Sequence, residues 1–442
     1  MDNQTTPEIK QSAQYQGQIK AGARALVETW KQKLSRAQEE GTKVVWTFVP
    51  NSHHYELIAS FDMPLLHVLP EFNGMRTCLM QTNQTYLDRA EEMGYSADVC
   101  GYLKIDAGMI DYGLQHPDMG KIPRPDLIIC PPLCNTFLKW AEMWQDRFDT
   151  PVSVLDMPVR YVETPEEYLR SETYKEDKRF MLAQLEDLIE VLEKLSGKKF
   201  DPDKLAERQT EWNQVISLWS EILELNKAVP APLDVFEDGF NMFASLMTYR
   251  GAAEPKAAIA YLETAKLEIE ERIALGQSAV SPEKYRFVFS WAPILYDMRG
   301  YLDLFRSRGG VAFVQSLYLE VHETSWKYDT SRPLESLAEA ILYVNMPNSA
   351  NCFWNRGSHL LKILRDYSAD ALVVQAFKSC RLVSTPLLHL KEMAQEAGIP
   401  TLSLDGDLFE KRYFSYAATK NRIDAFFERI DSQRIRRQRE GR

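Results

Sequence analysis

Lys43 to Val49 reads KVVWTFV and is stopped by Pro50. After the lysine the run is apolar, aromatic or β-branched, which predicts a short strand buried on both faces. Leu127 to Cys130 (LIIC) and Val152 to Leu155 (VSVL) have the same character, and helical patterns such as Gln84 to Met93 lie between the runs. Buried strands that alternate with helices predict a parallel sheet. Upstream, Thr6 to Glu40 is periodic enough for one or two surface helices. Downstream, strand signals vanish from Thr164 to about Leu275. Thr164-Pro165-Glu166-Glu167 starts a helix with a cap, a first-turn proline and carboxylates at the positive end of the dipole. Leu182, Leu185, Leu188, Ile189, Leu192 and Leu195 continue at helix spacing to a stop at Gly197. Asp201-Pro202-Asp203 opens a second helix, and Glu254 to Ala274, with Pro255 in its first turn and Gly276 after it, a third. Beyond Ser281-Pro282 strands return at Tyr285 to Ser290, Val311 to Ser316, Ala371 to Phe377 and Thr401 to Leu404. They are separated by helices such as Leu334 to Tyr343 and Thr385 to Ala397, and Lys420 to Arg434 is amphipathic. The expected plan is an N-terminal helical segment (1–40), a first α/β domain (41–162), a helical insert (163–280) and a second α/β domain (281–442).

Composition narrows the function classes. With 442 residues the chain is long enough for two to four domains. Its 52 basic against 63 acidic side chains leave a net charge of -11, which is unsuited to gripping a phosphate backbone; the short basic tail from Arg434 reads as a solvated helix end. No run is long and apolar enough for a membrane span, and Met1 to Ser12 lacks a signal peptide's apolar core, so the expected location is the cytoplasm. No GxGxxG follows the first strand, and GxxxxGK[ST], HExxH and GxSxG are absent. Dinucleotide, P-loop ATP, zinc-protease and α/β-hydrolase readings therefore lose their support. Arg308-Gly309-Gly310 reads as the turn before the strand at Val311.

The thiols are Cys78, Cys100, Cys130, Cys134, Cys352 and Cys380, with no CxxC pair. Without a secretion signal disulfides are not expected, which leaves inert core, nucleophile or metal ligand. Cys130 ends the strand LIIC, Cys134 follows in the Pro131-Pro132-Leu133 loop, Cys380 comes just after ALVVQAF, and Cys100 opens a segment after the helix ending near Met93. Open parallel sheets bind ligands beyond the carboxyl ends of their strands, so three such thiols could face one cleft and hold an iron–sulfur cluster with one iron left open. The plainer alternative is that cysteine fills core space. His53, His54 and Glu56, just past the first strand, are candidates for proton transfer; alternatively Asn51 or Ser52 caps a helix and the histidines are surface residues. His67, in an apolar run, reads as a core histidine.

A set of contexts carries further information. It comprises Phe48-Val49-Pro50 with Glu56-Leu57-Ile58, Asn73-Gly74-Met75-Arg76, and Asp98-Val99-Cys100 leading to Lys104. It continues through Pro125-Asp126-Leu127-Ile128 with Cys134, Phe137 and Lys139-Trp140, then Lys378-Ser379-Cys380. Asp405-Gly406-Asp407, Arg412-Tyr413-Phe414-Ser415 and Lys420-Asn421-Arg422 complete it. From about Lys43 to Glu428 the chain resembles the benzoyl-CoA reductase / 2-hydroxyacyl-CoA dehydratase family, most of all the B-type subunit of the ATP-dependent reductases. The resemblance implies two Rossmann-like parallel-sheet halves around a [4Fe–4S] cluster held by Cys100, Cys134 and Cys380, with Cys130 the rival to Cys134; Cys78 and Cys352 match no ligand position. It implies ring dearomatisation of an aromatic acyl-CoA such as benzoyl-CoA to a cyclic dienoyl-CoA, by single electrons at a potential that clusters reach at their low end, about −700 mV. It also implies a related smaller iron–sulfur subunit, ATP hydrolysis by a separate activator subunit and ferredoxin upstream. A (R)-2-hydroxyacyl-CoA dehydratase subunit and a double-cubane-cluster reductase are the alternatives within the superfamily.

Overall fold

A computed structural model of the chain describes residues 14–37, 39–48, 54–61, 65–132, 134–158, 165–242, 254–315, 327–348 and 353–439. The first part of the chain contributes β1 (Lys43–Trp46), β2 (Leu65–Val68), the hairpin strands β3 (Gln115–His116) and β4 (Gly120–Lys121), β5 (Leu127–Cys130) and β6 (Val152–Val154). The last part contributes β7 (Tyr285–Ser290), β8 (Val311–Gln315), β9 (Ala371–Phe377) and β10 (Thr401–Gly406). Two four-stranded sheets result, ordered β2-β1-β5-β6 and β10-β9-β7-β8, and every pairing within them is parallel. The α/β class with parallel sheets is thus present as expected. Hairpin aside, the first sheet places its first strand between the second and the third, with the fourth beyond the third; the second places its first strand between the second and the third, with the fourth likewise beyond the third. Strand order reverses between β1 and β5, and between β7 and β9, and crevices open at such points.

Besides the two-residue hairpin strands β3 and β4, β2 is the strand that composition did not predict. It is four residues long, LLHV, and polar His67 interrupts its apolar run. In the structure His67 is buried, as a core histidine should be, with its ring edge-on to Tyr55 at 4.9 Å. Gly309 and Gly310 both have positive φ, and a Cβ on Gly310 would stand 2.3 Å from the Pro282 carbonyl oxygen. That double glycine is the tight turn into β8.

Between the sheets in sequence run three long helices, Glu172–Ser196, Pro202–Leu225 and Pro255–Ala274. Ser171 caps the first by accepting from Tyr174 N at 3.0 Å, and Gly197 closes it at φ 70°. Asp201 caps the second, followed by proline in the first turn. The second packs against the third, against helix His54–Ala59 of the first sheet and against helix Pro333–Asn348 beyond β8. Helix Gln18–Arg36 is less of a surface element than its polarity suggests. It buries Ile19, Ala23, Leu26, Val27, Trp30 and Leu34. Its open amino end docks on helix Pro255–Ala274, where Glu268 accepts from Gly17 N at 2.9 Å and Ile19 N at 2.7 Å. The expected helix from Thr385 starts only at Leu387, because Pro386 lacks an amide hydrogen and separates it from the short helix Arg381–Ser384. Among the described residues no helix is long and apolar enough to cross a membrane.

Candidate functional site

Three helices start on a cysteine. Cys100 is the N-cap of Gly101–Asp111, Cys134 of Asn135–Phe148 and Cys380 of Arg381–Ser384. Cys134 lies just past the carboxyl end of β5, and Cys380 just past that of β9. β5 and β9 are the third strands of their sheets, so these two cysteines hold matching topological places. Cys100 comes from the segment between β2 and β5.

All three residues are half-buried free thiols. Burial pushes Cys100 well above the ordinary thiol range, and the charges of Cys380 and Cys134 add to the rise. Burial likewise pushes Cys380 up to about 11, with Cys134 and Asp407 adding their charge. The three sulfurs therefore share one field. The Leu103 and Tyr102 amides favour the thiolate at Cys100, and the Val383 and Leu382 amides do so at Cys380. These act as fields at the helix starts, because none of the three cysteines makes a full capping hydrogen bond through its side chain.

The donor chemistry fits a group that brings positive charge of its own, since iron replaces the lost protons and relieves the repulsion between thiolates. Among the described residues no three His, Cys, Asp or Glu converge tightly enough for a single metal ion. A cluster places each thiolate on a different iron and so takes ligands spread further apart. Cys130, the rival, is fully buried at the end of β5, where burial alone pushes it up to about 12. Cys78 is buried on helix Pro70–Leu79, and Cys352 and His53 lie outside the described residues.

His54 and Glu56 sit on helix His54–Ala59, and both are buried. The surface reading therefore fails for His54. Its Nε2 lies 2.8 Å from Thr47 Oγ1, and Tyr328, from the chain beyond β8, donates to Glu56 Oε2 at 3.3 Å. Phe48, which follows β1, stacks on Phe137 of the first turn after Cys134, with centroids 4.1 Å apart. The carboxyl edge of β1 thus adjoins the start of the Cys134 helix.

Two buried carboxylates, to which sequence patterns assign no role, hold the thiol-bearing segments. Asp106, on the Cys100 helix, accepts from Nε1 of both Trp140 and Trp144, on the Cys134 helix, each at 2.6 Å. Asp407, past β10, accepts from Ser379 N at 2.8 Å and from Phe409 N and Glu410 N at 3.0 and 3.1 Å, pinning the residue before Cys380. One signal was available: Lys104 and Asp106 stand in GYLKIDAGMI, a helix with no opposite charge three or four residues from either within it.

Burial raises Asp106 to about 6 against the donated indole bonds. The folded protein then keeps a proton that the unfolded chain sheds near pH 4, so stability falls as pH rises from about 4 through about 6. Asp106→Asn retains an acceptor for the indoles and cannot ionise. Relative to wild type it should gain about 2 kcal/mol between pH 4 and pH 7.5. Urea midpoints at the two pH values check this, and parallel pH dependence of both proteins would overturn it.

Comparison with known proteins covers nearly the whole chain. Residues 22–430 match the family model of the 2-hydroxyglutaryl-CoA dehydratase D-component. The B subunit of benzoyl-CoA reductase from Thauera aromatica is 32% identical over 419 residues, 91% of this chain and 92% of that one. The alpha subunit of (R)-phenyllactyl-CoA dehydratase from Clostridium sporogenes is 28% identical, across 89% of this chain and 90% of its own length. The alpha subunit of lactoyl-CoA dehydratase from Anaerotignum propionicum is 27% identical, across 84% and 87%.

Proposed function

The chain belongs to the 2-hydroxyglutaryl-CoA dehydratase D-component family, which embraces benzoyl-CoA reductase and 2-hydroxyacyl-CoA dehydratase subunits, and from that premise we propose that it is the iron–sulfur, substrate-binding subunit of an ATP-dependent aromatic acyl-CoA reductase. In this reading two Rossmann-like halves, 41–162 and 281–442, joined by a helical insert, 163–280, and preceded by the segment 1–40, place Cys100, Cys134 and Cys380 around one [4Fe–4S] cluster in an anaerobic cytoplasm. What supports it is that Cys134 and Cys380 head helices just past the third strands of two like-ordered sheets, while Cys100 heads a helix near enough for its thiol to feel the charge of both. The reductase relative at 32% identity, against 28% and 27% for the dehydratase relatives, favours reduction over dehydration.

Bound there, the cluster would supply single electrons at low potential. The rest falls to the chain. The three thiolates would hold the irons, and the helix-start amides at Cys100 and Cys380 favour the charged form of those two. Asp106 and Asp407 fix where the sulfurs stand. Protons for the reduced ring must come from positioned acids, and His54, whose Nε2 meets Thr47, and Glu56, whose Oε2 meets Tyr328, are the candidates this edge holds; His53 is a candidate by sequence alone. ATP is hydrolysed on a separate activator subunit fed by ferredoxin, and a related smaller subunit completes the enzyme.

The test supplies the complex, purified anaerobically with its co-purifying subunits, with benzoyl-CoA, ATP and a strong reductant. ATP-coupled loss of aromatic absorbance with a dienoyl-CoA product is the expected result. Dehydration of a 2-hydroxyacyl-CoA without ring reduction would move the protein to the dehydratase reading, which its other relatives favour. Iron content per chain separates both from a double-cubane enzyme.

A further inference from the structure

Cys100 and Cys380 belong to different sheets, so their spacing is set by whatever joins the two α/β parts beside them. Lys104, one turn after Cys100, is fully buried. Its Nζ donates to Ala97 O at 3.0 Å, to Glu91 Oε1 at 3.0 Å and to buried Glu410 of the second part, which satisfies all three of its protons. Arg412 closes the ring, bonding Glu91 at 2.6 and 3.1 Å and Glu410 at 3.0 Å. Two cations thus face two anions. The packing at this point is equally close. Gly101 abuts the Phe409 ring so tightly that a Cβ would lie 2.5 Å from it, and Asn83 Nδ2 donates to Phe409 O at 3.0 Å.

A continuous chain of contacts follows. Cys100 caps the helix that carries Lys104; Lys104 binds Glu410; Glu410 N binds Asp407; and Asp407 binds the amide of Ser379, next to Cys380. Burying the Lys104–Glu410 pair, with Glu91 and Arg412 at its partly exposed rim, is a poor route to stability, because well-packed apolar residues usually do as well; fixing register is the best-attested use of such a pair. The outer pair Asp98–Arg381, 3.7 Å apart and exposed, also crosses between the two thiol-bearing segments but holds them weakly.

We infer that the Lys104–Glu410 pair is the latch that sets the distance between Cys100 and Cys380, with Lys104 a positioning residue for the cluster site. This rests on the cluster reading above, and its test has one arm that does not. In the first arm, full-length chain reconstituted anaerobically with iron and sulfide is challenged with a chelator. Lys104→Met and Glu410→Gln are expected to lose iron to the chelator at about 10–100-fold lower chelator concentration than wild type, the range of metal affinity lost when groups behind metal ligands are removed. In the second arm, iron-free chain is treated with dibromobimane, and the Cys100–Cys380 bridged peptide is quantified by mass; its yield should fall severalfold in both variants. Glu410→Gln keeps the side chain's shape, so it decides the matter if Lys104→Met does not fold. Arg286→Met, a destabilising change away from the seam, should leave both readouts at wild-type values. Wild-type release and bridging in the latch variants, or an equal loss in Arg286→Met, would overturn the inference. If the wild type takes up no iron at all, it is the cluster reading that fails, and the bridging arm still judges the latch.

Discussion

Cys380→Ser should fold and lose most of its iron. Serine matches cysteine in shape, and the half-buried N-cap of a four-residue helix tolerates it, so the sheet behind it is untouched. What disappears is the soft, ionisable donor; a hydroxyl does not replace a thiolate on iron. Cys100→Ser and Cys134→Ser should behave alike, because the three sulfurs share one field. Cys130→Ser is the informative contrast: that side chain is fully buried at the end of β5 and should cost stability while iron is retained. Anaerobic reconstitution, iron counting and the EPR of the reduced cluster check the series. Wild-type cluster content in Cys380→Ser, or its loss in Cys130→Ser, would reassign the ligands.

The strands were legible where they were apolar and closed by turn residues. LIIC and YRFVFS appear at the boundaries their composition implied, as does the glycine stop at Gly197. β2 was not legible, because a buried histidine in a four-residue strand breaks the apolar pattern that marks a strand. Helix Gln18–Arg36 looked like surface because its partner, Glu268, lies some 250 residues away, and long-range capping leaves no local trace. The same limit applies at the site. Cysteines just past strand ends are visible as a pattern, since topology alone sends such positions to one edge. Lys104 and Glu410 are not, because their pairing joins residues 306 apart in sequence and exists only once the two sheets have docked. His54 shows the converse error. Its polar neighbours, Ser52 and His53, suggested an exposed helix start, yet contacts from Thr47 and from Tyr328 at Glu56 put that turn inside.

Arg286→Met should be among the most destabilising single substitutions in the chain, by about 3–5 kcal/mol, the usual cost of removing one partner of a buried ion pair. Arg286 is the second residue of β7 and is 2% exposed. Its guanidinium meets Glu283 through Nε at 2.8 Å and through a second nitrogen at 3.0 Å. The remaining N–H groups go to carbonyls: Asn226, Lys227 and Ala228, just past the end of helix Pro202–Leu225, and Tyr367, just past helix Phe353–Asp366. One cation therefore satisfies acceptors that two helices leave open at their negative ends, and fastens both to the central strand of the second sheet. Methionine fills the volume but strands Glu283 and those carbonyls away from water. Arg286→Lys keeps the charge without the planar fork, so it should recover only part of the loss. Urea unfolding followed by far-ultraviolet circular dichroism measures both, and a loss below about 1 kcal/mol for methionine, the scale of an exposed pair, would mean that the helices do not depend on this residue for their anchorage.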